Sequence, residues 1–309
     1  MTKITKPWIK LLDYVSDEDY TAISNLADVC VQYDLTALKL ELDYKLAMAK
    51  EKERTGGLHE INEFMYFDGE KLIGYIGIGC FGGAGSTPEI NGMVHPAYRR
   101  QGIFRKLHQL TTAELTRRGI KRALLLCDGK SMAGKSYIST LAAKHDHAEF
   151  EMYVQREAAK KAVPPITLRK TSNCDAKEIA RQNAIYFGDE MNVLDSDEGA
   201  TNHGLVLPEE EEKRGMTIYL AYAGEEIIGK VHAQINKNIG GIYGLGVLPA
   251  YRGRGYGRAL LLQGIAKLRE TGAEQIMLQV VTENANALHL YESCGFVTTS
   301  TMMYYELQL

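Results

Sequence analysis

Ten consecutive residues, Pro249-Ala250-Tyr251-Arg252-Gly253-Arg254-Gly255-Tyr256-Gly257-Arg258, bring three arginines and three glycines together. Arginine offers a permanently charged fork of donors suited to phosphoryl oxygens, and glycine lets a backbone come close to a ligand. Their position adds to this. Ahead of them Ile242-Tyr243-Gly244-Leu245-Gly246-Val247-Leu248 is an apolar segment of strand length closed by Pro249. Behind them the spacing predicts a helix, with Gly257, Leu261, Gly264, Ile265 and Leu268 on one face, Arg258, Lys267 and Glu270 elsewhere, and Gly272 as its stop. Where a strand hands over to a helix, unpaired N–H groups and the positive end of the helix dipole meet an anion. The run reads as a diphosphate cradle; a plain tight turn is the alternative for such glycines standing alone.

Arg252-x-x-Gly255-x-Gly257 resembles the acyl-CoA diphosphate signature of the GNAT superfamily of N-acetyltransferases. Downstream, Asn284-x-x-Ala287-x-x-x-Tyr291-x-x-x-Gly295-Phe296 is similar to that superfamily's last helix and following strand, with the strand Gln275–Val281 between the two motifs. The resemblance implies a mixed α/β sheet fold, acetyl-CoA as cosubstrate, and direct transfer of an acetyl group to a primary amine of a small molecule or peptide.

The chain contains this pattern twice. Pro96-Ala97-Tyr98-Arg99 matches Pro249-Ala250-Tyr251-Arg252 letter for letter, 153 residues earlier, and Gly119 falls where Gly272 falls. Gly69-Glu70-Lys71-Leu72-Ile73-Gly74 likewise answers Gly224-Glu225-Glu226-Ile227-Ile228-Gly229. A period of that length is a domain, not a solenoid unit. The fold class expected is therefore α/β, as two tandem GNAT-like domains, 8–160 and 166–309, joined through Lys160-Lys161-Ala162-Val163-Pro164-Pro165. The expected order in the first is a strand at Trp8–Leu12, helices to about Tyr33 and over Leu35–Lys52, then strands Ile61–Phe67 and Leu72–Cys80. The second repeats it: a helix over Cys174–Phe187, a looser acidic region 188–215, then strands Met216–Tyr222 and Ile227–Asn236.

The copies differ. The first signature reads Arg99-x-x-Gly102-x-Phe104, with a bulky ring where helix backbone should touch phosphate. Tyr137 falls one residue short of the place of Tyr291, and Lys130 stands near that of Asn284. The second copy is therefore expected to be the working one, the first degenerate; this layout is similar to that of the mycothiol synthase family, tandem members of the superfamily. Gly129-Lys130-Ser131-Met132-Ala133-Gly134-Lys135-Ser136 also matches a P-loop, but it occupies the counterpart of a turn into the last helix, and no later strand supplies a magnesium-binding Asp.

Composition bounds the rest. A length of 309 residues favours two domains, 45% apolar residues suffice for ordinary cores, and a net charge of −3 gives no case for nucleic acid or anionic membrane. Five scattered cysteines (Cys30, Cys80, Cys127, Cys174, Cys294) read as reduced thiols, and no metal site is expected, His145-x-His147 being the one near-match. No signal peptide or membrane span is recognised, so a cytoplasmic protein is expected. Its oligomeric state stays open.

In the second copy the resemblance implies that Leu245, Gly246 and Val247 pair with the pantetheine arm, that Arg252, Gly253, Arg254, Gly255, Tyr256, Gly257 and Arg258 hold the diphosphate, and that Asn284 holds the arm or the splayed strand end. Tyr291 is the implied acid for the leaving sulfur. No Asp or Glu occupies Ile242–Val247 to act as base; Tyr243, His232, Glu225, a water chain and direct release of the proton to solvent stay open, and His289 reads as a surface residue. The acidic run Glu209–Glu212, with Asp189, Glu190, Asp195 and Asp197, either attracts a cationic amine or is a solvated face. A non-catalytic acyl-CoA sensor is the alternative of a different class, and a P-loop nucleotide binder a further one.

Overall fold

The computed structural model describes residues 2–51, 60–79, 87–187 and 205–309. The first half runs β1 (Pro7–Leu12), α1 (Asp17–Asp34), α2 (Leu42–Glu51), β2 (Glu63–Asp68), β3 (Lys71–Gly79), β4 (Glu89–Val94), α3 (Ile103–Arg117), β5 (Arg122–Asp128), α4 (Met132–Ile138) and β6 (Lys144–Val154). The second runs β7 (Thr167–Lys170), α5 (Ala176–Phe187), α6 (Pro208–Lys213), β8 (Met216–Ala223), β9 (Glu226–Asn236), β10 (Ile239–Val247), α7 (Tyr256–Glu270), β11 (Gln275–Val281), α8 (Ala285–Ser293) and β12 (Phe296–Gln308). The mixed α/β order read from the sequence is present in both halves. Two details differ: α2 starts at Leu42 rather than Leu35, and the acidic region contains the short helix α6.

Local chemistry accounts for these elements. Ser16 caps α1 by accepting from the Asp19 N–H, and Asp17, Glu18 and Asp19 sit in the first turn, where the dipole favours anions. The hairpins β2–β3 and β8–β9 turn on Gly69 and Gly224, at φ +63° and +64°. A 3-10 turn follows β4 (Pro96–Tyr98) and β10 (Pro249–Tyr251). Directly after each turn the arginine folds back: Arg99 Nε donates to the Val94 carbonyl at 3.0 Å, and Arg252 Nε to that of Val247 at 2.9 Å. The duplication thus extends to single hydrogen bonds.

The chain divides into two compact units, Met1–Glu149 with Ser300–Leu309, and Phe150–Thr299. In the first unit the strand order is β1-β2-β3-β4-β5-β12, antiparallel except for β4 beside β5. Residues Met302–Gln308 of β12 lie antiparallel to β5, so the last strand of this sheet comes from the far end of the chain. One core groups Phe64, Ile76, Ile90, Ile103, Leu107 and Leu125; another groups Ile23, Leu26, Met65, Tyr75 and Met93.

In the second unit the order is β6-β11-β10-β9-β8-β7, with β10 and β11 parallel. Its core packs Leu260, Leu261 and Leu268 of α7 against Val231, Ile242, Ile276 and Leu278. Here the strand beside β11 begins before the proline-rich segment, in residues 150–154. These units and the 8–160 and 166–309 division therefore part company at the last strand of each sheet. The reason is physical: a strand belongs where its hydrogen bonds are made, and strand partners are non-local.

Among the described residues, Cys30, Cys127 and Cys294 are buried free thiols and Cys174 is an exposed one; Cys80 lies outside them. No helix among them is long and apolar enough to cross a membrane, and they contain no group of three or more His, Cys, Asp or Glu arranged to hold a metal.

Candidate active site

In the second unit β10 and β11 pair from Ile239↔Gln275 to Ile242↔Leu278, and that register then ends. On its other side β10 slips against β9: the register passes from Tyr243↔His232 to Gly246↔Lys230, leaving Gly244 and Leu245 in a bulge, with Gly244 at φ +51°. A bulge re-aims a strand, so Leu245, Gly246 and Val247 lead away from β11 and open a split between two parallel strands. An extended chain entering that split would find backbone groups to pair with.

The glycine run closes the same end. Gly253 and Gly255 adopt φ +75° and +85°, values that strain an L side chain, and Gly255 is the N-cap of α7 with no side-chain cap bond. The first N–H groups of a 15-residue helix are therefore offered outward, beside exposed Arg252 and Arg254. A Cβ added at Gly257 would meet Leu290 at 3.4 Å and Val247 at 3.9 Å, ordinary contact distances. This uncapped, glycine-lined, arginine-flanked helix start fits a diphosphate.

Arg258 does not belong to that set. It is 6% exposed and its guanidinium is turned inward: Nη1 donates to the Ser293 carbonyl at 2.9 Å and hydroxyl at 2.6 Å, and Nη2 to the Ala159 carbonyl at 2.5 Å. The sequence expectation that it grips phosphate is corrected, because its two Nη groups are already engaged in tying α8 and residue 159 to α7 and the whole guanidinium is buried. Tyr256 packs edge-on to Tyr251 at 6.1 Å between ring centres.

Asn284 is the N-cap of α8, its side-chain oxygen accepting from the Ala287 N–H at 3.2 Å. Tyr291 is part-buried beside Phe296, and burial raises its phenol, which keeps the proton on at ordinary pH. Cys294 is buried near Arg258, and burial pushes its thiol up, which makes a nucleophile of it unfavourable. Of the base candidates, Glu225 and His289 are exposed, and the Tyr243 hydroxyl faces Met277 sulfur at 3.7 Å. His232 stands at the bulge with Lys230 3.1 Å away.

Two side chains were missed in the sequence. Lys230 is 0% exposed, and the Tyr186 ring lies against Gly246, where an added Cβ would meet it at 2.2 Å. A lysine inside the run Ile227-Ile228-Gly229-Lys230-Val231 was the available signal, since a charge within an apolar strand needs a reason. Glu210, Glu211 and Glu212 pair with Lys213, Arg214 and Lys170, and Glu209 bonds Asn173. These four glutamates are a locally compensated surface; Asp189, Glu190, Asp195 and Asp197 lie outside the described residues.

The first unit has the same split. Its β4–β5 pairing is confined to Glu89↔Leu124 and Ile90↔Leu125, and beyond it a cavity of about 410 Å³ opens, lined by Asn91, Val94, Phe104, Leu126 and Tyr137 among others. This cavity belongs to the first unit, whereas the uncapped, arginine-flanked helix start belongs to the second. Arg99 is held by both Asp34 oxygens at 2.7 and 2.5 Å, and the Tyr137 hydroxyl is bonded to His108 Nδ1 at 2.9 Å. Gly77, the counterpart of Lys230, is covered by Tyr75 and Lys45, which are locked onto buried Glu63. The P-loop-like run forms no loop: Met132 to Ser136 are helical, and the Gly134 N–H bonds the Ser131 cap at 3.1 Å.

Twice over, then, the described residues build a sheet in which a parallel pair splits beside a glycine-started helix, an acyl-transfer architecture in tandem. The model of the acetyltransferase (GNAT) family matches residues 29–133 and 186–296. The chain belongs to this family and is an N-acetyltransferase. It is 28% identical to a mycothiol acetyltransferase of Corynebacterium glutamicum over 223 residues, 69% of this chain and 73% of that one. Among solved structures, a GCN5-related N-acetyltransferase from Sphaerobacter thermophilus shares the fold at 15% identity, with a TM-score of 0.72 over 98% of this chain and 95% of that one. A tandem GNAT protein from the clavulanic acid biosynthesis pathway does so at 13% identity and a TM-score of 0.68, covering 98% of each.

Proposed function

We propose that the second half of the chain, residues 166–309, with its site in the second unit, transfers an acetyl group from acetyl-CoA directly to a primary amine. The single observation that carries this reading is the kinked end of β10 facing the uncapped start of α7, with no carboxylate among the described residues bonded to Arg252. Arg252 and Arg254, with the N–H groups following Gly255, would hold the diphosphate; the backbone of Leu245, Gly246 and Val247 would align the arm and polarise the thioester carbonyl. Tyr291, kept protonated by burial, would donate to the leaving sulfur. The thiol of Cys294 is not needed, because the amine itself is the nucleophile.

The acceptor proposed is a small-molecule amine, and the name of the Corynebacterium relative brings amines of the mycothiol type into the panel that tests it. The cavity of the first unit supports a second reading for that half, acyl-CoA binding without turnover. The test is thiol release from acetyl-CoA across an amine panel. Release is expected to persist in Arg99→Ala, to collapse in Arg252→Ala and Gly255→Trp, and to drop by roughly two orders of magnitude in Tyr291→Phe. Equal losses from Arg99→Ala and Arg252→Ala would end the assignment to the second unit.

A further inference from the structure

The kink of β10 carries a buried amine that the cofactor grip does not use. Lys230 on β9 lies directly across from Gly246, and its Nζ donates to the Gly244 carbonyl inside the bulge at 3.2 Å. The same Nζ is 3.1 Å from His232 Nε2 and 5.6 Å from the centre of the Tyr186 ring, which covers Gly246 from α5. Val231, one residue on, points to the opposite face toward α7, where a Cβ added at Gly264 would meet it at 3.4 Å. So Lys230, His232, Gly246 and Tyr186 converge on one face of the bulge, beside the backbone proposed to receive the thioester.

We propose that Lys230 is the catalytic base of the second unit and that His232 is the residue positioning it. As the acceptor nitrogen bonds to the acetyl carbonyl carbon and the carbon–sulfur bond breaks, neutral Lys230 Nζ takes the proton released by nitrogen. Tyr291 gives its proton to the departing sulfur, and solvent later restores the proton to Tyr291 and removes the one on Lys230. This rests on the second unit being the working one.

The electrostatics agree with the geometry. Burial brings the Lys230 ammonium down to about 8, and burial together with Lys230 brings His232 down to about 3. His232 is therefore neutral throughout the working range and presents a ring nitrogen to Lys230, while Lys230 itself crosses between its two forms. Among the described residues, the groups facing Lys230 include His232 on its own strand and Tyr186 from α5, while Leu220 of β8 and the glycine backbone of β10 bring no charge of their own. Behind Tyr186, Arg252, Arg181 and Glu178 act on its phenol. A structural prop for the bulge would need only a donor, whereas a base must lose its proton, and this separates the two roles.

The experiment uses the full chain, acetyl-CoA and the best amine of the panel. In Lys230→Met and Lys230→Arg, kcat is expected to fall at least about 100-fold, with the acetyl-CoA Kd unchanged and the rise of kcat near pH 8 abolished. Arginine keeps the donor but never deprotonates at these pH values. Aminoethylation of Lys230→Cys, which rebuilds a lysine-like amine, restores turnover and the pH limb. Retention of kcat within about threefold in Lys230→Arg, or failure of aminoethylation to restore a protein with native acetyl-CoA affinity, overturns the proposal. Should the variants not fold, the wild-type profile decides: a kcat independent of pH from 6.5 to about 9.5 excludes a base of this kind. A wild type that binds acetyl-CoA yet acetylates no amine refutes the function proposed above, a result distinct from any of these.

Discussion

Arg258→Ala separates a phosphate ligand from a structural arginine on the same loop. In the folded chain its guanidinium serves the carbonyls of Ser293 and Ala159 and the Ser293 hydroxyl from a nearly dry site. Hydrogen bonds from a charged donor contribute about 1.5–3 kcal/mol each, and orphaned buried carbonyls add their desolvation cost. Since neighbouring terms do not add, a loss of about 3–5 kcal/mol is expected. For a unit of this size about 1 kcal/mol shifts melting by roughly 2–4 °C, so the transition should fall by roughly 6–20 °C. Scanning calorimetry reads that shift, and titration with acetyl-CoA well below the transition should give a Kd within about threefold of wild type. Arg252→Ala should do the reverse, since it loses one exposed bond to Val247 and a phosphate partner. The reasoning fails if Arg258→Ala melts within about 2 °C of wild type while its acetyl-CoA affinity collapses.

Two further perturbations follow from the same geometry. Gly257→Ala should be neutral or stabilising by up to about 1 kcal/mol, because its Cβ fits beside Leu290 and alanine favours helix; Gly257→Phe, which copies Phe104, should weaken acetyl-CoA binding at least about tenfold. Calorimetric titration of both variants checks this, and full affinity in the phenylalanine variant would refute the close approach of the helix start. In the first unit, Arg117, then Arg118 and the Ile61 N–H, hold the Glu114 carboxyl down to about 2. A depressed carboxylate stabilises fully above its unfolded value of about 4.3 and loses that contribution as pH falls toward the folded value. The urea midpoint of wild type should therefore fall more steeply than that of Glu114→Gln below about pH 4.3, and parallel curves would remove Glu114 from the account.

The legible features were those whose cause is local. Gly255 and Gly257 announce a turn into a helix wherever they occur, Ser16 and Asp17–Asp19 announce a helix start, and the shared Pro-Ala-Tyr-Arg run exposes the duplication by simple comparison. Phe104 in place of a glycine already distinguished the copies. Arg258 was misread because helix periodicity gives an angle around the cylinder, not what α8 and residue 159 bring against it. Lys230 was overlooked because its meaning comes from Gly244 and His232, separated from it by a turn or by one residue yet joined only through the bulge. The cavity in the first unit, which sits in a half that looked degenerate, was equally out of reach.

What the amino-acid order determined alone is therefore a tandem mixed α/β protein with a glycine- and arginine-rich helix start in its second half, since turns, caps and periodicity act over a few residues. Tertiary structure decided which arginines face solvent, that residues 302–308 complete the sheet beside β5, and that a lysine is fully buried opposite Gly246. Strand partnership and burial depend on segments far apart in sequence, and the register of a bulge is settled only when those segments meet.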